Sequence, residues 1–268
     1  MHGENRTIPP IDEKKTAELI CNFLKDNLNQ SKTEGAVIGL SGGLDSSTTA
    51  YLCARAFGKD KILGIIMPSE TTSREDVQDA VKVAESLGIE YETVEVDGLI
   101  EPFKDLCSHS DEGYNTVLAG ANLKARIRMM ILYYHANAMK RLVVGTGNRT
   151  ELLVGYFTKY GDGGVDILPI GDLYKNHVRA LASYLQVPVE IIEKAPTAGL
   201  WAGQTDEDEL GMKYETLDRL LYLMVDKKLG DQEVAYELKI PLEEVLRIKR
   251  MVRSAEHKLK PAPIAAVR

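Results

Sequence analysis

The stretch Ala36 to Ser47 (AVIGLSGGLDSS) constrains this chain more than any other. The run Ala36-Val37-Ile38-Gly39-Leu40 is apolar without alternation, which suits a strand buried on both faces of a sheet. The glycines that follow let the backbone turn tightly and approach a ligand. A helical pattern then runs from about Asp45 to Phe57. Ser41, Ser46 and Ser47 bring hydroxyls to the turn, and the opening of a helix offers free N–H groups and the positive end of its dipole. That combination holds phosphate. The loop has neither the GxxxxGK[ST] spacing, so no P-loop lysine reaches a γ-phosphate, nor GxGxxG. Asp45 would repel phosphate unless a divalent cation stands between them, so the loop predicts Mg²⁺ together with a polyphosphate. The plainer alternative is a strand-to-helix turn capped by Ser and Asp.

The same strand-then-helix unit recurs. Lys61–Met67 reads as a strand, Arg74–Leu87 as a helix ended by Gly88, Tyr91–Val96 as a strand, and Arg141–Val144 as another buried strand. A lead-in helix spans 12–29, and a long one spans 120–139 with Leu123, Ile127, Ile131, Tyr134 and Ala138 on one stripe. The expected fold is α/β: a doubly wound, mostly parallel sheet of about five strands, helices on both faces and a helical C-terminal region. One domain is expected, divided into an N-terminal helix (1–35), an α/β core (36–205), C-terminal helices (206–260, with helices near 213–229, 231–238 and 242–258) and a tail (261–268). Ligands bind such sheets at the carboxyl ends of the strands. The Gly-rich segments Ser41-Gly42-Gly43 and Gly145-Thr146-Gly147 both sit at such ends, on one rim. The Gly- and Asp-rich stretch 155–172 is too long for a simple connector and reads as a functional loop.

The formal net charge of −7 and the lack of a basic stripe disfavour a nucleic-acid substrate. Three widely spaced cysteines form no CxxC pair, which argues against zinc and thiol chemistry and suits a reducing compartment. No apolar run approaches the ~20 residues of a membrane span. A cytoplasmic protein is expected.

Strand-SGGxDS-helix resembles the loop of the ATP pyrophosphatases, which split ATP between its α- and β-phosphates. GTGNRTE (145–151), GYFTKYGDGG (155–164), DILPIGDLYK (166–175), KAPTAGLW (194–201) and EHK (256–258) together resemble the NAD⁺ synthetase family within that group, from about residue 15 to 260. The resemblance implies that the nicotinate carboxylate of deamido-NAD⁺ attacks the α-phosphate of ATP, that pyrophosphate leaves, and that ammonia then displaces AMP. It implies that Gly39, Leu40, Ser41, Gly42, Gly43, Leu44, Asp45 and Ser46 cradle the ATP phosphates, and that Asp45 and Glu151 bind Mg²⁺. Thr146 would contact the adenylate part of ATP, and Lys175 and Thr197 its phosphates. Arg126, Lys159, Asp166, His257 and Lys258 would bind deamido-NAD⁺. It also implies a homodimer.

Each residue has a plainer alternative. Glu151 is also a first-turn acid favoured by the helix dipole. Lys124, Arg126 and Arg128 also fit the solvated face of a helix, and Lys159 and Lys175 the surface of loops. His257-Lys258 is also an ordinary charged helix end. His135 and His177 receive no role. Asp162 is expected to hold ammonium and take its proton, against the alternative of a turn aspartate. Only about 35 residues precede the first strand, which leaves no room for the amidase domain of glutamine-dependent relatives. Free ammonia, or a separate glutaminase subunit, is the expected nitrogen source. The rival functions are another ATP pyrophosphatase, either tRNA-modifying or similar to GMP synthetase, and a non-catalytic nucleotide-binding module.

Overall fold

The computed structural model describes residues 7–107, 114–197 and 205–267; the Ala198–Trp201 end of the KAPTAGLW motif lies outside the described residues. Four parallel strands form the sheet: β1 (Gly35–Gly39), β2 (Ile62–Ile66), β3 (Glu90–Thr93) and β4 (Arg141–Val144), in the order β3-β2-β1-β4. The strand order reverses at β1, which has β2 on one side and β4 on the other. A crevice opens there at the carboxyl ends of β1 and β4.

Helices cover both faces because β1 is apolar on both. Ala36 and Ile38 pack with α1 (Glu13–Ser31), α2 (Leu44–Phe57), α3 (Arg74–Leu87), α7 (Lys175–Tyr184) and α8 (Val189–Glu193). Val37, Leu63, Ile65 and Val143 face α5 (Tyr114–Ala138) through Ala136. The remaining helices are α4 (Asp97–Leu106), α6 (Arg149–Val154), α9 (Asp206–Leu210), α10 (Tyr214–Leu221), α11 (Asp231–Leu238) and α12 (Leu242–Leu259). A separate apolar cluster joins α10, α11 and α12 through Leu217, Leu220, Leu221, Val234, Val245 and Ile248.

Several expectations are corrected. The sheet among the described residues has four strands rather than about five. The fifth position holds one parallel bridge, Val144 to Ile167, with Gly145 N–H donating to the Ile167 carbonyl at 2.8 Å. Pro169, with no N–H, and Gly171 follow at once, so no ladder extends. The third strand is Glu90–Thr93; Val94 and Val96 N–H still donate to the Ile66 and Pro68 carbonyls at 2.8 and 3.0 Å, but Pro68 has no N–H to return a bond and the ladder stops. The stripe on α5 also divides: Leu123, Ile127 and Ile131 are covered by Val96 and Ile100 around α4, whereas Tyr134 stands exposed. The helix expected over 213–229 is α10 followed by a π-turn at Tyr222–Asp226, closed by Lys227 N–H donating to the Tyr222 carbonyl at 2.9 Å.

Candidate active site

The turn after β1 is held by its own serines. Ser41 and Ser46 hydroxyls meet at 2.9 Å, and Ser46 and Ser47 donate to the Gly43 carbonyl at 3.1 and 2.8 Å. Gly42 has φ +76°, and a Cβ there would stand 2.1 Å from the backbone oxygen of Asp76 at the start of α3. Only glycine fits. No side chain caps α2 at Gly43, which leaves its opening N–H groups to a ligand.

A cavity of about 470 Å³ opens over this turn. Its wall includes Gly39, Leu40, Ser41, Gly43, Leu44, Asp45, Ser46, Thr146, Glu151, Asp162, Lys175, Thr197 and Lys258. Residues far apart in the chain, from Gly39 to Lys258, are therefore brought into one wall. The correction concerns Lys175: it opens α7 and is 3% exposed, so the surface-loop alternative does not hold.

Asp45, Glu151 and Lys175 form the centre. The Lys175 ammonium donates to Asp45 and lies 3.5 Å from Glu151 Oε1. Asn148 donates its side-chain amide to Asp45 at 3.3 Å. It also caps α6 reciprocally with Glu151, its backbone N–H reaching Glu151 Oε2 at 3.2 Å and its Oδ1 accepting from Glu151 N–H at 3.0 Å. Burial, then the nearby Asp45 charge, pushes the Glu151 carboxyl above the usual carboxylate range. Burial opposes the charge of Lys175, but Asp45 and Glu151 outweigh it and hold the ammonium above the usual lysine range. Two carboxylates thus share one cation, and the set is short of positive charge. Mg²⁺ uses one or two carboxylates and takes further ligands from phosphate and water, so the donor set fits it. Asp45 and Glu151 would hold the ion. No group of three or more His, Cys, Asp or Glu with metal-ligand placement occurs among the described residues.

Asp162 stands in the same wall and accepts from Thr158 N–H at 2.8 Å. Its surroundings raise its pKa by desolvation, opposed by the Thr158 bond and by Lys258 and Arg128. Lys258 reaches in from α12, donating to the carbonyls of Gly155 (2.7 Å) and Phe157 (2.8 Å).

Four expected dinucleotide residues lie outside this cavity. Arg126 donates to the Lys159 carbonyl at 3.4 Å, and the Lys159 ammonium bonds the carbonyls of His257 (2.6 Å) and Lys260 (2.9 Å), so Arg126, Lys159 and His257 form one outer cluster. The His257 ring pairs with the Ser254 carbonyl at 2.6 Å. Asp166 lies along β4, accepting from Val143 N–H at 2.8 Å and from Tyr133 hydroxyl at 3.0 Å.

Sequence reading missed several wall residues. Arg128 is turned inward, its Nε donating to the Met67 carbonyl at 3.1 Å. A signal was present, since Arg128 falls on the face of small residues Ala121 and Ala125, opposite Arg126. Lys194 bonds Asp76 and Asp79 at 2.8 and 2.5 Å, and Asp206 accepts from Tyr156 (3.1 Å) and Tyr214 (3.2 Å). No local spacing announces either.

The NAD synthase family model matches residues 16–262. An NH(3)-dependent NAD(+) synthetase of Archaeoglobus fulgidus is 49% identical over 256 residues, 95% of this chain and 98% of that protein. Among solved structures, NMN synthetase from Francisella tularensis has a TM-score of 0.84 at 36% identity, over 96% of this chain and 99% of that one. NH3-dependent NAD synthetase from Campylobacter jejuni, in complex with the nitrate ion, has 0.79 at 29% identity, over 95% and 99%.

Proposed function

The chain belongs to the NAD synthase family, and we propose that it is a carbon–nitrogen ligase that amidates deamido-NAD⁺ with ammonia and ATP, yielding NAD⁺, AMP and pyrophosphate. The carrying observation is the convergence of Asp45, Glu151 and Lys175 over the Ser41–Ser46 turn. A module that only held a nucleotide would have no need of two carboxylates around a buried lysine.

A carboxylate and ammonium do not condense usefully at neutral pH, so the carboxylate is first activated. Its oxygen attacks the α-phosphorus and pyrophosphate departs, leaving an acyl adenylate. Ser41, Ser46 and the opening N–H groups of α2 hold the phosphates, with Lys175 and Thr197 beside them and Thr146 toward the adenylate. Mg²⁺ held by Asp45 and Glu151 would neutralise charge on the phosphates. Asp162 holds ammonium near the acyl carbon and takes one of its protons; its raised pKa brings it toward the range in which a base is effective. Ammonia then attacks the acyl carbon and AMP leaves. Arg126, Lys159, Asp166, His257 and Lys258 bind deamido-NAD⁺, whose length carries it from the cavity over the outer rim.

The protein acts as a homodimer: α5 exposes Val117, Leu118, Met130 and Tyr134. Three free thiols favour the reducing cytoplasm, and no helix among the described residues is long and apolar enough to cross a membrane. Ammonia arrives free or from a separate glutaminase.

Incubation with ATP, Mg²⁺, ammonium and deamido-NAD⁺ should release NAD⁺ and pyrophosphate together; absence of both sinks the reaction. Glu151→Ala should remove turnover while preserving the circular dichroism spectrum. Asp162→Ala should lower kcat most at limiting ammonium, and a wild-type rate there would end its assigned role. The likeness to an NMN synthetase supports a second reading, in which nicotinate mononucleotide is the substrate. The ratio of kcat/KM for the two nucleotides decides between them.

A further inference from the structure

Two aspartates of the C-terminal region reach the starts of the two helices that carry Glu151 and Lys175. Asp218, on α10, is fully buried. One of its oxygens accepts from the Thr150 hydroxyl at 2.6 Å, and the other accepts from Asn176 N–H at 2.9 Å. The Thr150 hydroxyl in turn accepts from Lys175 N–H at 3.1 Å. Helix α7 has no side-chain cap of its own at Tyr174. Its first two N–H groups are instead satisfied from two other elements. Thr150 directly precedes Glu151, so one buried carboxylate is bonded to both sides of the Glu151–Lys175 contact.

A second link runs in parallel. Asp226 accepts from Arg149 at 2.5 Å and from the Tyr174 hydroxyl at 2.6 Å, and the Arg149 guanidinium lies 5.3 Å from the centre of the Tyr174 ring. Asp226 is the last residue of the π-turn, which sets the direction it takes after α10. The pairs Arg149–Thr150 and Tyr174–Lys175 are thereby tied side by side, one residue from the chemistry.

We propose that Asp218, assisted by Asp226, is the positioning residue of this centre: it fixes α6 and α7 so that Glu151 and Lys175 meet Asp45. The inference rests on the reaction proposed above. Neither aspartate lines the cavity, and their oxygens are engaged by Thr150 and Asn176 for the fully buried Asp218 and by Arg149 and Tyr174 for Asp226. Small displacements of reacting groups cost about 10²-fold in rate. Loss of the tie therefore lowers kcat more than it raises KM for deamido-NAD⁺, whose binding groups lie on other segments.

The test is steady-state kinetics on the full chain with ATP, Mg²⁺, ammonium and deamido-NAD⁺. Asp218→Asn and Thr150→Val, each close to isosteric, should lower kcat tenfold or more, with the dinucleotide KM within about twofold. Thr150→Ser should recover most of kcat, because it restores the hydroxyl. The double variant Thr150→Val/Asp218→Asn should be no slower than the slower single variant, since both cut one chain of bonds. Asp226→Asn should give a smaller loss of the same kind. Should Asp218→Asn not fold, Thr150→Val and its serine rescue decide alone. Wild-type kcat in Thr150→Val overturns the proposal, even with a lowered melting temperature, as do losses confined to KM. A wild-type chain that makes no NAD⁺ overturns the reaction itself, a result distinct from either.

Discussion

Lys194 bridges Asp76 and Asp79 of α3 beside the mouth of the cavity, and Asp79 also takes a bond from Lys82 at 3.1 Å. Burial alone would raise the pKa of Asp79, but the two lysines outweigh it and hold the carboxyl below the usual carboxylate range. A depressed carboxylate contributes stability above its unfolded pKa and loses it as pH falls through the folded one. Burial opposes the charge of Lys194, but Asp76 and Asp79 outweigh it and raise the ammonium above the usual lysine range, so its share is present below the unfolded lysine pKa and is lost as pH rises through the raised one. Asp79→Asn is therefore expected to be less stable than wild type by about 2 kcal/mol. In urea melts, that gap should stay level from about pH 5 to 9 and close below about pH 4. A gap that persisted in acid would show that the carboxylate charge is not its source. At this scale the sequence revealed residues whose chemistry is tied to a local pattern. Asp45 closely follows two glycines, and Glu151 stands three residues after its capping partner Asn148. Lys194 and Asp218 act through partners 115 and 68 residues away, which no window of sequence contains, and Asp206 joins the near Tyr214 to Tyr156, 50 residues away.

Elements were most legible where periodicity and a stop signal coincide. Ser73 caps α3 through Asp76 N–H, Gly88 ends it in the left-handed conformation, and its bounds Arg74–Leu87 are those expected. Helix α4 escaped notice, and α6 was met only as the setting for a first-turn acid at Glu151, for different reasons. Gly98 and Pro102 hide the pattern of α4, while α6 has only six residues. Helix α7 had a signal, Val178, Leu181 and Ala182 at helical spacing, masked by the glycine-rich approach to it. The end of α6 is under tight constraint. Gly155 has φ +74°, and a Cβ there would stand 2.7 Å from the Ala255 Cβ on α12. Gly155→Ala combines backbone strain of about 1–3 kcal/mol with that collision. A melting temperature lower by roughly 3–8 °C is expected, with partial recovery in Gly155→Ala/Ala255→Gly; no recovery would refute the steric account.

For the molecule as a whole, the dimer proposed above is tested on the exposed apolar side chains of α5. Tyr134 is 73% exposed and Met130 54%. Met130→Glu/Tyr134→Glu should shift the mass measured by light scattering from a dimer to the 29.7 kDa of one chain. An unchanged dimer would place the interface elsewhere. The parallel winding and the rim over which the cavity opens were readable from the order of segments, whereas the number of strands and the covering of α5 depended on tertiary contacts. The same winding governs how the protein is made. Strand β1 is made with the serine–glycine turn attached, yet its second neighbour, β4, is encoded about 100 residues later. Asp45 waits 130 residues for Lys175, and the aspartate that braces both helices comes later still. A growing chain therefore carries its serine–glycine turn long before it carries the lysine and the bracing aspartate that complete the centre, and the assembled centre arises only once all of them have been made.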